Sequence, residues 1–383
     1  ANTKKINAMN EFIRKKQFKE ALIFGGDVLK INPNSFEVIN LCGVANSRLG
    51  EYDKAADKFR EAIAKNPKFI RAYINLAFAT EKLDTNKEAI KILKTGLKNN
   101  PNDNSLKYYL GSFFLKEGEF GGARKILWQC IFSNPTDWEA MYKLGNMYEK
   151  IKRYDLAIAM YKKGARLKVE LPQIYIKIAD LYKRNGSFSK AILFYKKTLK
   201  NTPVKNTILQ HVATNLYEIG EIEISKNLFE KLLSSSDKNA EIIINLSNIY
   251  QKENKLNDAL KLLEYGKEKY PFNEIIAFNL GNMYKAKGIF LEAIKQFQTA
   301  VDIKKGFFQA YSNLGVTYNN VGDYERGLGN LNKALSINKK INVARFSTLI
   351  NIGVTFLTLG KFKEGWEKYE YRWKVDPGDK VVW

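Results

Sequence analysis

Residues 278–284 read FNLGNMY, two asparagines three residues apart around a Leu-Gly pair. Asparagine and glycine each cost a helix about 0.5–1 kcal/mol relative to alanine. Yet Ala277, Leu280, Gly281 and Tyr284 fall at the i, i+3, i+4, i+7 spacing of one helical face. A helix that keeps such residues needs a reason, and the stretch recurs. Leu-Gly or a near equivalent stands at Cys42 and Gly43, Leu76 and Ala77, Leu110 and Gly111, Leu144 and Gly145, Leu314 and Gly315, and Ile352 and Gly353.

The spacing of these pairs is set by a period of 34. Seven of the eight prolines lie on one grid: Pro33, Pro67, Pro101, Pro135, Pro203, Pro271 and Pro377, with four extra residues before the last and only Pro172 off it. Twelve residues before each grid proline is a small residue: Ala21, Ala55, Ala89, Ala123, Ala191, Ala259 and Gly365. Where the proline is missing the grid still finds Ala157, Ser225, Ala293 and Gly327. With this small residue numbered 20, position 11 is often aromatic (Phe114, Tyr148, Tyr284) and position 24 is mostly large (Phe59, Tyr161, Tyr195, Phe297). Positions 4, 7, 8 and 11 form one apolar stripe and positions 20, 24 and 27 a second, separated by a turn with glycine near position 15, as at Gly50, Gly118 and Gly220. The proline at position 32 ends the second helix. Each repeat is therefore a helical hairpin that cannot bury its faces alone and must stack on its neighbours.

This pattern resembles the tetratricopeptide repeat family over nearly the whole chain. The resemblance implies an all-α, right-handed superhelical solenoid of about eleven 34-residue helix-turn-helix repeats. Ten run without insertion over residues 1–341. Residues 342–345 are an insertion, 346–379 an eleventh repeat, and 380–383 a tail that could lead to a further domain. Repeats five to seven depart most from the pattern, Val169 and Asp237 replacing the proline and Ser225 the alanine, which predicts altered superhelical pitch there.

Composition bounds the function. The chain has 383 residues, 45% hydrophobic and 13% aromatic, enough for a substantial core. It has no apolar run long enough to span a membrane. Two cysteines and the single His211 exclude a disulfide framework and a Cys/His zinc site, and point to a reducing, cytoplasmic setting. Cys42 and Cys130 fall on buried stripes, and no phosphate loop, nucleophile–base pair or catalytic carboxylate pair is visible, so neither catalysis nor a cofactor or metal is expected. The formal charge is +23, and residues 1–200 carry 38 Lys and Arg against 20 Asp and Glu. A basic half attracts acidic partners. The lysines are dispersed, which reads as solvated helix faces and argues against nucleic acid.

On the first helix of each repeat, positions 2, 5, 6, 9, 12 and 13 lie opposite the apolar stripe. The family resemblance implies that this face lines a concave groove for extended peptides. Position 6 is asparagine in six of eleven repeats, including Asn75, Asn245, Asn279, Asn313 and Asn351, and position 9 adds Asn248 and Asn282. Position 13 is basic in seven, including Arg48, Lys82, Lys116, Lys150 and Arg184. A carboxamide donates and accepts, so rows of them suit a peptide main chain. They are similar to the groove arrays of O-linked N-acetylglucosamine transferase. Alternatively, the amides bond between neighbouring repeats and the basic row is only solvated. A clamp for a C-terminal carboxylate is not expected, because Ile244, Gln309 and Asn313 replace its basic partners.

Two readings follow. The first is a non-catalytic scaffold binding an extended, acidic protein segment through the asparagine rows and basic residues. The second rests on EGWEKYEYRW, residues 364–373, which resembles the junction where bacterial repeat proteins enter a glycosyltransferase-like domain. On that reading the chain is a substrate-recruiting arm of an enzyme continuing beyond Trp383. Three of five tryptophans, Trp366, Trp373 and Trp383, crowd the last 18 residues, so a partner or domain is expected to cover that aromatic end, unless the tryptophans pack inward.

Overall fold

The structure, a computed structural model, describes residues 2–83, 86–167, 171–200, 204–235 and 239–375. Pro203, Pro377, Val169, Asp237, Trp383 and the tail at 380–383 lie outside the described residues. The chain divides into two compact units, Ala1–Thr202 and Pro203–Trp383.

The first unit holds six helical hairpins: α1 Asn2–Arg14 with α2 Phe18–Ile31, α3 Phe36–Arg48 with α4 Tyr52–Lys65, α5 Ile70–Leu83 with α6 Asn86–Asn99, α7 Asn104–Glu117 with α8 Phe120–Ser133, α9 Trp138–Lys150 with α10 Tyr154–Leu167, and α11 Pro172–Arg184 with α12 Phe188–Lys200. The second holds five: α13 Asn206–Ile219 with α14 Ile222–Leu233, α15 Ala240–Lys252 with α16 Leu256–Lys269, α17 Glu274–Ala286 with α18 Phe290–Ile303, α19 Phe308–Asn320 with α20 Tyr324–Ile337, and α21 Val343–Thr358 with α22 Phe362–Tyr369, followed by the short α23 Arg372–Val375. Among the described residues every regular element is helical. No helix there is long and apolar enough to cross a membrane.

The 34-residue grid has a direct packing cause. Small residues at positions 8 and 20 let the two helices of a hairpin touch backbone to backbone: a Cβ placed on Gly315 would lie 2.7 Å from the Gly327 carbonyl oxygen. Elsewhere the missing Cβ makes room for the large residue at position 24. A Cβ on Gly281 would meet the ring of Phe297 at 2.6 Å, and one on Gly43 the ring of Phe59 at the same distance. Both rings are fully buried, as are the position-20 alanines. Ser225 keeps this geometry, because its hydroxyl donates to the Ala213 carbonyl at 2.8 Å across the same hairpin.

Turn chemistry fixes the ends. The seven position-15 glycines take positive φ, and Lys16, Lys152 and Asn254 adopt the same left-handed conformation at φ 60–61° in three hairpins that lack the glycine. Side chains just before several first helices cap them: Asp103 accepts from the Leu106 N–H at 2.8 Å, and Asn273 from those of Ile275 and Ile276 at 3.0 Å. Asn342 caps α21 in the same way, accepting from the Arg345 N–H at 2.9 Å, so residues 343–345 form its first turn and extend it to 16 residues.

The C-terminal aromatics partly fold back. Tyr371 stacks on Phe346 of α21 with centroids 5.5 Å apart, and Arg372 lies over Trp373 at 4.5 Å. Phe362 and Trp366 stay 64% and 51% exposed.

Candidate functional site

Three pockets lie along the face bearing positions 2, 5, 6, 9, 12 and 13, while two others in the first unit are lined mainly by second helices. In the first unit a pocket of about 720 Å³ is lined by Ile6, Asn10, Asn40, Leu41, Ile74 and Asn75 among others. A second, of about 450 Å³, is lined by Lys116, Lys143, Asn146, Lys150, Lys177 and Arg184, with Ser112, Leu115 and Glu149. In the second unit Gln210, His211, Thr214 and Glu241 contribute to one of about 340 Å³. These side chains share a face because the hairpins repeat in register.

The asparagines there largely bond from hairpin to hairpin. Asn75 donates to Asn40 Oδ1 at 2.9 Å, Asn279 to Asn248 Oδ1 at 3.3 Å, and Asn313 to Asn282 Oδ1 at 2.8 Å. The last two pairs run from position 6 of one hairpin to position 9 of the preceding one. Position 9 also ties helices within a hairpin: the Tyr161 hydroxyl donates to Asn146 Oδ1 at 2.7 Å, and that of Tyr195 to Asp180 Oδ1 at 2.6 Å. The interrepeat role foreseen as the alternative for these amides is thus present. Each such bond uses one N–H and one lone pair of groups with two of each. Asn279 is buried, whereas Asn75, Asn248, Asn282 and Asn313 are half-buried. Asn245 and Asn351 are also half-buried, and their side chains make no hydrogen bond among the described residues.

The basic row divides. Arg48 and Lys82 are exposed, with no ion pair among the described residues. Lys116 pairs with Glu81 of the preceding hairpin and lies over the Phe113 ring at 4.8 Å. The Lys150 ammonium donates to the Leu115 carbonyl at 3.4 Å. Arg184 donates to the Tyr154 hydroxyl at 3.3 Å and sits over its ring at 5.4 Å.

Lys143 and Lys177, both at position 6, were not named from the sequence. The signal was there: in these two repeats lysine stands where six others have asparagine. Lys177 donates to Glu149 at 3.1 Å, and Glu149 also lies 3.0 Å from the Tyr161 hydroxyl. Deep burial, and then that carboxylate, push the Tyr161 phenol far above its usual range. Lys143 lies over the Tyr108 ring at 5.8 Å. Burial, then the neighbouring charge of Lys116, hold its ammonium below the ordinary lysine range.

The cysteines are inert by environment. Both thiols are free and buried, and burial pushes the Cys130 thiol up to about 11. The described residues contain no group of three or more His, Cys, Asp or Glu able to hold a metal.

Tetratricopeptide repeat models match residues 48–110, and also 139–168, 172–204 and 308–341. The TPR repeat-containing protein YpiA of Bacillus subtilis is 22% identical over 253 residues, 64% of this chain and 58% of that protein. The BBSome complex member BBS4 of Bos taurus is 23% identical over 285 residues, 73% of this chain and 54% of that protein. The chain thus spans little more than half the length of these relatives. Among solved structures, the C-terminal part of a TPR repeat-containing protein from Cytophaga hutchinsonii is similar in fold, with a TM-score of 0.50 and 18% identity over 63% of this chain and 99% of that one. Period and hairpin packing agree with the tetratricopeptide repeats that these models match over four segments of the chain.

Proposed function

We infer that the chain is a protein-interaction scaffold whose first-helix faces hold an extended protein segment. The observation that carries this reading is the pocket of about 720 Å³ in the first unit, where the amides of Asn10, Asn40 and Asn75 on α1, α3 and α5 stand beside Ile6, Leu41 and Ile74, with Tyr109 of α7 completing the lining. An extended segment must find donors and acceptors for its main chain whatever its sequence, and carboxamides supply both. Asn245 and Asn351 would serve this alone, while Asn75, Asn248, Asn279, Asn282 and Asn313 would do so beside their interrepeat bonds. Arg48, Lys82, Lys116, Lys150 and Arg184 would draw acidic side chains to the first unit. BBS4 is by its printed name a member of a complex, which accords with a scaffold. Two free thiols accord with a cytoplasmic setting, and the exposed Phe362 and Trp366 would take a partner covering the C-terminal end.

The test is a selection of extended peptides on the full chain, followed by N-methylation of alternate main-chain amides in the selected peptide. Asn245→Ala and Asn351→Ala should each weaken binding by about fivefold, the worth of one hydrogen bond near 1 kcal/mol, and N-methylation should abolish it. Affinity that ignores N-methylation and follows side chains alone would refute the reading. The recruiting-arm alternative draws on residues 364–373 alone, and sequencing the gene past codon 383 tests it: a stop codon there removes its support.

A further inference from the structure

The pocket between α7, α9 and α11 is overcharged for a resting surface. Five cations line it: Lys116 from α7, Lys143 and Lys150 from α9, and Lys177 and Arg184 from α11. Of the nearby carboxylates, Glu81 is engaged by Lys116, Glu149 by Lys177 and the Tyr161 hydroxyl, and Asp180 by the Tyr195 hydroxyl, while Glu139 acts on Lys143 only through its charge. Lys143 makes no ion pair among the described residues and is half-buried. The surrounding sequence exaggerates the imbalance, since residues 151–200 carry 13 Lys and Arg against three Asp and Glu.

We propose that this pocket binds a phosphoryl group. After the two internal pairs, Lys143, Lys150 and Arg184 are left with only the more distant charges of Glu139 and Asp180 beside them, so the lining keeps a positive excess. A phosphomonoester carries close to two negative charges at neutral pH and three terminal oxygens pointing in different directions. Lysines act as point charges that approach such a group from several sides, and here they arrive from three successive first helices. The Asn146 amide, whose oxygen accepts from the Tyr161 hydroxyl, adds its N–H groups as neutral donors in the lining. The depressed basicity of Lys143 fits a site kept short of anions until one arrives. A volume of about 450 Å³ admits the phosphoryl group together with the chain that carries it.

The source is either a phosphorylated side chain of a protein segment or a free phosphate ester. The first rests on the scaffold reading above; the pocket itself does not. The experiment uses the full chain and four probes: phenyl phosphate, a labelled Gly-Ser peptide with one phosphoserine, the same peptide with serine there, and an eight-nucleotide oligouridylate. The phosphoserine peptide should bind at least tenfold more tightly than the serine peptide and should be displaced by phenyl phosphate. K143Q should weaken it at least tenfold, K143R should restore it, and K125Q on the exposed face of α8 should leave it unchanged. Thermal stability of K143Q should hold or rise, because the substitution removes a crowded charge. Phenyl phosphate binding that depends on Lys143, with no peptide bound at all, would uphold the pocket and overturn the scaffold reading. Binding of either phosphate probe that survives K143Q, no phosphate binding, or oligouridylate binding as tight as the phosphopeptide would overturn the proposal, even where neutral peptides still bind.

Discussion

The ladder between Asn313 and Asn282 allows the two roles of the amides to be weighed. Replacing Asn313 by alanine removes a 2.8 Å hydrogen bond, a net loss of about 1 kcal/mol. It also replaces a poor helix former by the best one inside α19, returning about 0.6 kcal/mol. The single variant should therefore fall only a few tenths of a kcal/mol below the parent, and so should Asn282→Ala. A double-mutant cycle separates the terms, because each propensity gain cancels while the pair energy does not. The expected coupling is about 1 kcal/mol. Stacked hairpins open locally rather than as one body, so the assay is native-state amide exchange read at α17 and α19. Asn245 with Asn351, which share no bond, should show no coupling. A coupling below about 0.3 kcal/mol for Asn282 with Asn313 would lie within ordinary additivity error. The ladder would then be energetically idle, and the claim that these amides bind hairpin to hairpin would fail.

Gly281→Ala should destabilise the second unit by about 1–2 kcal/mol, because the new Cβ meets the fully buried Phe297 ring at 2.6 Å and overpacking outweighs the helix-propensity gain. Gly26→Ala, within α2 and with nothing inside 4 Å of the added Cβ, should instead stabilise by about 0.5–1 kcal/mol; thermal or denaturant melting of the two variants should show opposite signs. Lys152→Gly should stabilise by about 0.5 kcal/mol, since the residue sits at φ 60°, where a Cβ is strained; a loss on melting would contradict it. Cys42 and Cys130 should resist alkylation at pH 8 until the chain unfolds, because burial keeps both thiols protonated; labelling of the native chain, followed by mass spectrometry, would show otherwise.

Most of the architecture could be read from residue spacing, because hairpin packing is a short-range rule. A small residue at position 8 and a large one at position 24 are two halves of one contact, as Gly281 and Phe297 show, so their period reports the hairpin directly. The first helices of the first ten hairpins begin at residues 2, 36, 70, 104, 138, 172, 206, 240, 274 and 308, on that period. The partners of the groove residues were less legible. Whether Asn279 faces solvent or Asn248 depends on how far one hairpin slides over the next, a distance that no single helix encodes. Ser225 looked like a defect by residue type, yet its hydroxyl finds a carbonyl only the folded hairpin supplies.

The same offset explains why the cationic pocket escaped a row-by-row reading. Counting position 13 alone finds Lys116, Lys150 and Arg184 as separate members of a dispersed row. Stacking brings position 6 of a hairpin onto position 9 or 12 of the one before, as Asn313 on Asn282 and Lys177 on Glu149 show. A lysine at position 6 therefore adds to its predecessor's row rather than starting another. Two consecutive substitutions of asparagine by lysine, at 143 and 177, turn a solvated stripe into one concentrated site. Where asparagine stands at position 6 and again at position 9 of the preceding hairpin, as at 279 and 313, the stacking yields a neutral ladder, so one register produces both a structural seam and a charged pocket.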